Sequence, residues 1–428
     1  MSGSPLVVRE PEALELDQRD REGQARDRFV VPKDDSASGY AEVAYLAADS
    51  LGLQGVAVAD EVRRELEDWA TLAVEGHWAA RTPWTDAHVA LRGPMARIVG
   101  AREDEVVVMN SLTVNLHLLL ASFYRPTPDR HRIVIEDAAF PSDSYAVRSQ
   151  AAFHGYDPDE AIVRLAPRDG ERLVRTDDVV EHLRRDADRT ALVLLGGVNY
   201  RTGQLMEMAP ITDAARSLGV TIGWDLAHAV GNVELSLHDL APDFAAWCTY
   251  KYLNGGPGST AGAFVHERHL GDASLPRLEG WWGTDPAVRL EMRPALTPVA
   301  TADAWSVSCT SILSMAPLRV ALGIVDELGM GALRARSVRL TGYLERLLTE
   351  ELGDLCTIVS PTDPDQRGCQ LSVAVPTDAS AVTDRLRSVH GVVCDARPPD
   401  VVRLAPAPLY TSFHDVWRAA AGLHEVLS

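Results

Sequence analysis

The run TALVLLGGVNYRTG (190–203) is apolar at successive positions without alternation, then turns into a polar, glycine-containing loop. A strand with one wet face alternates, whereas an unbroken apolar strand is covered on both faces. The pattern recurs along the chain. DEVVVMNSLTVNLHLLLASF (104–123) reads as a strand then a helix, and HRIVIEDAAFPSD (131–143) as a strand ending in a loop. ITDAARSLGVTIGWDLAHAVG (211–231) reads as a helix then a strand, while DFAAWCTYKY (243–252) and AGAFVHER (261–268) supply two more strands. Such alternation predicts an α/β domain with helices on both faces of its sheet. Polar residues collect after the strands, where ligands bind in open α/β sheets.

Outside this region the pattern differs. Residues 9–28 are densely charged and predict a surface helix or arm, and Pro32 to Gly39 a turn. From Asp60, a candidate N-cap, Val62, Leu66, Trp69 and Ala73 recur at helical spacing. Beyond Trp305, a helical run over 311–352 precedes QLSVAVP and VVCDARPPDVVRLAP, predicting a smaller α+β domain. The expected division is an N-terminal segment (1–58), a large domain (59–305) and a small C-terminal domain (306–428).

Charge narrows the function classes. A formal net charge of −20 argues against nucleic acid or an anionic membrane as partner. No apolar run approaches the roughly 18 residues of a membrane span. The N-terminus turns acidic too soon for a secretory signal. Cys248, Cys309, Cys356, Cys369 and Cys394 are scattered without a CxxC, which predicts reduced thiols in a cytoplasm. Neither a phosphate-binding GxGxxG or GxxxxGK[ST] after a strand nor HExxH or zinc-ligand spacing occurs, so no nucleotide or metal is expected.

CTYKYLNGGPGSTAGAFV (248–265) sets Lys251 between two tyrosines and follows it with glycines. A lysine nucleophile acts by forming a Schiff base, which requires loss of its ammonium proton. With an ordinary pKa of about 10.4, the free amine is scarce at neutral pH. A surface lysine at a turn is the ordinary alternative. Asp225 ends the hydrophobic run VTIGWD and precedes His228 in the pattern DxxH. A carboxylate there needs a cationic partner. A protonated pyridine nitrogen would serve; a helix N-cap fits the aspartate equally. NSLT opens a helix after a strand, so its free amides and the Thr113 hydroxyl form a natural anion site. FPSD (140–143) offers an aromatic ring to stack on a flat cofactor.

NSLTVNLHLLL, FPSDSYA, WDLAHAVGNVEL, CTYKYLNGGPGS, LTGYLE, RGCQLS, GVVCDAR and RLAPAPLYTSFHDV occur in this order, and together the chain resembles the kynureninase family over almost its whole length. The family comprises pyridoxal-phosphate hydrolases with the aspartate-aminotransferase fold, a large mixed-sheet domain plus a smaller α+β domain. The resemblance implies that Lys251 holds the cofactor as a Schiff base and Asp225 bonds its pyridine nitrogen. Phe140 would stack on the ring, with Pro141, Ser142 and Asp143 in the same loop and His228 near a ring substituent. Leu112, Thr113, Tyr250 and Trp281 would line the phosphate, Trp281 from the other subunit of a homodimer. Arg403 would pair with the substrate α-carboxylate, His77 would contact the aryl ring, and Ser308 and Cys309 would lie beside the substrate, Cys309 also against the cofactor. The implied reaction is Cβ–Cγ hydrolysis of L-kynurenine, L-3-hydroxykynurenine or a ring-substituted analogue, giving an anthranilate-type acid and L-alanine.

Several positions depart from the family pattern. ADSLG sets Ala48 and Asp49 where glycine and asparagine are usual. Gly196 stands in place of a cofactor-contacting hydroxyl, Arg201 in place of one branch's aromatic, Thr284 in place of a histidine, and Cys309 in place of an asparagine or threonine. These changes gather around the substrate. They leave open a different substrate, another pyridoxal-phosphate reaction such as a lyase or desulfurase, or simple drift. A non-catalytic paralogue is disfavoured by the joint presence of Lys251, Asp225, His228 and Arg403.

Overall fold

A computed structural model describes residues 9–20, 22–137 and 139–428. Residues 1–8 and Arg21 of the expected N-terminal segment, and Ala138 in the loop before Phe140, lie outside them.

The unbroken apolar runs form β1 (Val106–Val108), β2 (Arg132–Glu136), β3 (Ile162–Leu165), β4 (Thr190–Gly196), β5 (Thr221–Asp225), β6 (Phe244–Trp247) and β7 (Gly262–Val265). They join in one sheet of order β1-β7-β6-β5-β4-β2-β3. Strands β2 to β6 run parallel, and β7 pairs antiparallel with β6 and β1, so the sheet is mixed. Successive side chains feed opposite faces: β4 sends Leu192 and Leu194 into one core, Val193 and Leu195 into the other. Small residues admit large ones between neighbouring strands. A Cβ on Gly223 would meet the Phe244 ring at 2.1 Å, and one on Gly262 the Trp247 indole at 2.4 Å.

The second sheet is antiparallel, in the order Thr357–Ile358, Leu371–Ala374, Val401–Leu404, Asp395–Arg397. Its register sets Arg403 opposite Ser372 on one side and Asp395 on the other. The core beneath it joins Leu371, Val373, Val402 and Leu404 to Leu344 and Val416 of the helices Met330–Leu352 and Phe413–Leu427.

Two local expectations change. The single helical run over 311–352 breaks into Ile312–Leu328 and Met330–Leu352 at Gly329, whose φ of 78° no right-handed helix accepts. The helix expected from Asp60 starts at Val58, which leaves Asp60 in the first turn, where its charge meets the positive helix end. His266 and His269 lie on a short turn after β7. His266 is buried and stacks on His238 at 5.6 Å, and His269 Nε2 lies 2.8 Å from Asp243 Oδ1.

The charged N-terminal region docks on the second sheet's helices. Helix Glu10–Arg19 packs on Phe413–Leu427, whose first amides, at Phe413 and His414, donate to Asp17. Further along, Ala44–Tyr45 pairs parallel with Val392–Val393. Ala405 N then donates to Leu46 O at 2.8 Å, and Gly52 N to Tyr250 O at 2.8 Å. Residues 44–52 thereby join the second sheet to the segment after β6.

Candidate active site

The carboxyl ends of β2, β4 and β5 carry Glu136, Gly196 and Asp225, and Gly196 is the register partner of Asp225. All three line a cleft completed by Lys251 from the turn after β6. Lys251 Nζ lies 2.8 Å from Nε2 of His228. Burial, with Lys251, Arg403 and Arg397 adding to it, pushes His228 well below the ordinary histidine range. The imidazole is therefore neutral, and its Nε2 accepts from the lysine. Its Nδ1 has no hydrogen-bond partner among the described residues.

The floor of the cleft is acidic. Asp225, Asp143 and Glu136 are 7%, 7% and 6% exposed. Asp225 Oδ1 accepts from Ala227 N at 2.7 Å, and Asp143 hydrogen-bonds to Asp225 while its own Oδ1 has no partner among the described residues. Desolvation raises all three. Asp143 goes well above the carboxylate range, with Asp225 and Glu136 adding to the rise. Asp225 also rises, although the Ala227 amide opposes the shift. Glu136 reaches about 7 despite hydrogen bonds from Asn199 (2.7 Å) and the Gly196 amide. Lys251 acts as a countercharge to Asp143 and Asp225. Buried carboxyls this close together, with Lys251 as countercharge, are relieved by a further cation in their midst.

At the other end, the helices Leu112–Phe123 and Pro141–Phe153 open into the cleft. Neither N-cap residue, Ser111 or Phe140, caps its helix with a side-chain hydrogen bond. Leu112, Thr113 and Ser142 line this end, so free first-turn amides and two hydroxyls face one space, a favourable setting for an anion. Phe140 stands at the rim, 44% exposed, edge-on to Tyr200 at 5.3 Å. An anion site, a flat aromatic wall, an acidic pair with room for a further cation, and a lysine are a donor set that fits pyridoxal phosphate.

The structure brings Lys251, Asp225, His228, Tyr250, Leu112, Thr113, Phe140, Ser142, Asp143 and Gly196 to this cleft, and Pro141 starts one of its helices. Arg403, His77, Trp281, Ser308 and Cys309 do not line it within one chain. His77 lies edge-on to the Trp78 and Trp84 rings at 5.6 and 5.5 Å. Trp281 is 52% exposed, and Ser308 and Cys309 are exposed. Arg403 is fully buried among Asp49, Asp395 and the Tyr200 carbonyl.

Sequence reasoning missed Glu136, Asn199 and Tyr200. Glu136 ends the apolar run HRIVIE just as Asp225 ends VTIGWD, so the same signal was available. It also accounts for Gly196: a Cβ there would lie 2.8 Å from Glu136 Oε1, so the glutamate fills the space a hydroxyl side chain would take. Thr284 is likewise occupied, donating to Thr297 O at 3.0 Å. Elsewhere Glu105, His238 and His266 converge. Glu105 already accepts from the amides of Arg102 and Glu267 and contacts His238 Nδ1, so the cluster serves as a cap on two turns.

Fold comparison defines the class first. The chain superposes on a cysteine desulfurase of Escherichia coli with a TM-score of 0.76 at 19% identity, covering 95% of this chain and 98% of that one. It superposes on a C-DES mutant, with glycine covalently linked to its PLP cofactor, with a TM-score of 0.78 at 17% identity, covering 92% and 99%. The architecture is thus that of the aspartate-aminotransferase-type enzymes. Within that class, the chain is 59% identical to a kynureninase of Salinispora tropica over 99% of its own length and 98% of the relative's. It is 49% identical to a kynureninase of Koribacter versatilis, covering 98% of each, and residues 333–423 match the kynureninase C-terminal domain family. The chain belongs to the kynureninase family.

Proposed function

We propose that the protein uses pyridoxal phosphate to hydrolyse the Cβ–Cγ bond of L-kynurenine or L-3-hydroxykynurenine, giving an anthranilate-type acid and L-alanine. The observation that carries this reading is the convergence of Lys251, the Asp143–Asp225 pair and two uncapped helix N-termini on one cleft, in a chain of this family.

When bound, the cofactor supplies an electron sink for charge that develops on the substrate. Leu112, Thr113 and Tyr250 would hold its phosphate, Phe140 would stack on its ring, and Asp225, backed by Asp143, would keep its ring nitrogen protonated. Pro141 and Ser142 shape the same loop, and Gly196 leaves room for Glu136. Lys251 Nζ would hold it covalently, and as a free amine the same nitrogen would take the proton from the substrate Cα. Such positioned transfer contributes about 10²–10⁴ in rate. Arg403 holds the α-carboxylate with its planar fork. His77, Ser308 and Cys309 lie toward the aryl group. Hydrolysis consumes one water at the γ-carbonyl.

The protein acts as a homodimer in which Trp281 completes the partner's phosphate site, supported by its exposure outside the single-chain cleft. Its division is 1–58, 59–305 and 306–428, its place the cytoplasm, and its setting tryptophan catabolism toward NAD or secondary metabolism. A desulfurase or lyase reading is not favoured. Likeness to those enzymes is one of fold alone, and partial desolvation raises the Cys309 thiol, the opposite of an activated thiolate.

The test is a parallel assay of kynurenine, 3-hydroxykynurenine and ring-methylated kynurenines by the holoenzyme, scored by kcat/KM and product. Alanine plus an aryl acid is expected; sulfide or pyruvate overturns the reading.

A further inference from the structure

Arg403, the residue assigned to the substrate α-carboxylate, is already surrounded by acid. Its Nε stands 2.9 Å from Asp49 Oδ2 and 3.0 Å from Asp395 Oδ1, and its Nη2 2.9 Å from Asp395 Oδ2. Its Nη1 donates to Tyr200 O at 2.8 Å. The two acids have different origins. Asp395 is the cross-strand partner of Arg403 and also accepts from Arg397 Nη1 at 2.6 Å. Asp49 arrives from residues 44–52, at a position where the family resemblance sets asparagine. The Asp49 and Arg403 side chains are both fully sealed from solvent, and neither Asp49 oxygen makes a well-formed hydrogen bond among the described residues.

Charge counting exposes the consequence. Two guanidiniums, Arg403 and Arg397, face two carboxylates, Asp49 and Asp395. With all four ionised, and Lys251 matched by the Asp143–Asp225 pair, the pocket is balanced, and a substrate carboxylate would enter as an uncompensated buried charge, which is strongly unfavourable. Asparagine at 49 would leave one positive charge to spare. The remaining titratable groups facing Asp49 are Lys251, Tyr45, Tyr252, Cys369 and Cys394. The phenols and thiols are held protonated by burial, so none can absorb another proton. Asp395 is secured by hydrogen bonds from two arginines, which leaves Asp49 as the acceptor.

We propose that Asp49 couples α-carboxylate binding to proton uptake: the substrate carboxylate displaces Asp49 from Arg403, and the displaced Asp49 takes up one proton from solvent. Asp49 is thus a positioning residue that acts through Arg403, and the inference rests on the proposed function. Substrate affinity then falls about tenfold per pH unit wherever Asp49 is ionised in the free enzyme.

The experiment compares the holoenzyme with its Asp49→Asn form. L-alanine binding is measured calorimetrically in buffers of different ionisation enthalpy, and KM and kcat for L-kynurenine are followed across pH. The native enzyme is expected to take up one proton more per bound alanine than the variant. Its KM should climb about tenfold more steeply per pH unit, with parallel kcat curves. Equal proton counts with parallel KM curves overturn the proposal. Absence of kynurenine turnover in both forms overturns the proposed function instead, while the alanine proton count still decides the role of Asp49. Should the asparagine form not fold, Asp49→Ser removes the same carboxyl and serves the same comparison.

Discussion

His228 Nε2 receives Lys251 Nζ at 2.8 Å, and burial keeps that imidazole neutral. Its neutrality has a thermodynamic signature. In the unfolded chain the residue takes up a proton below about 6.5, and in the folded protein it does not. Its contribution to stability therefore falls as pH drops beneath that value. Denaturant titrations of apoenzyme at several pH values should show less acid destabilisation in His228→Asn than in the native chain.

Lys251→Ala should abolish the borohydride-stable cofactor adduct and lower kcat by more than the roughly 10⁴ of a lost proton transfer, because the covalent anchor goes too. Peptide mapping after reduction checks this directly. A label on another amine contradicts the assignment.

Glu136 gives a pH dependence over a different window. Its folded value of about 7 lies above its ordinary one, because desolvation disfavours the ionised carboxylate. Between about 4.5 and 7 the folded state holds the proton that the unfolded state has lost, so stability falls as pH rises through that range, by about 3 kcal/mol at most. Glu136→Gln should flatten this slope in the apoenzyme.

Restoring a hydroxyl at position 196 should do harm. Gly196→Ser places a Cβ 2.8 Å from Glu136 Oε1, and overpacking of this kind costs about 1–3 kcal/mol. Combining it with Glu136→Ala should recover part of the loss. That non-additivity, read from melting temperatures in a double-mutant cycle, checks the pairing.

Gly52→Ala should be worse tolerated, since its Cβ would stand 2.4 Å from the backbone oxygen of Lys251. Backbone cannot swing aside as a side chain can. A lowered melting temperature and weakened cofactor retention are the expected outcome.

Much of this site was legible because its residues obey one local rule, an apolar run that stops on a polar residue. Asp225 follows it directly, while Lys251 stands out by the tyrosines and glycines around it and the FPSD loop by its aromatic ring. Glu136 obeys the same rule and was missed, since nothing nearby drew attention to it. The partnership of Asp49 with Arg403 lies beyond local pattern altogether, because it is made when residues 44–52 cross from one sheet to the other. The break at Gly329 was equally hidden. Glycine is tolerated inside helices, and only its positive φ ends this one.

The crossing stretch ties Leu46 to Ala405 and Gly52 to Tyr250, immediately beside Arg403 and Lys251. Under the proposed function, anchor and nucleophile are fastened to opposite ends of one short strap. Their relative placement therefore rests on one short stretch of backbone.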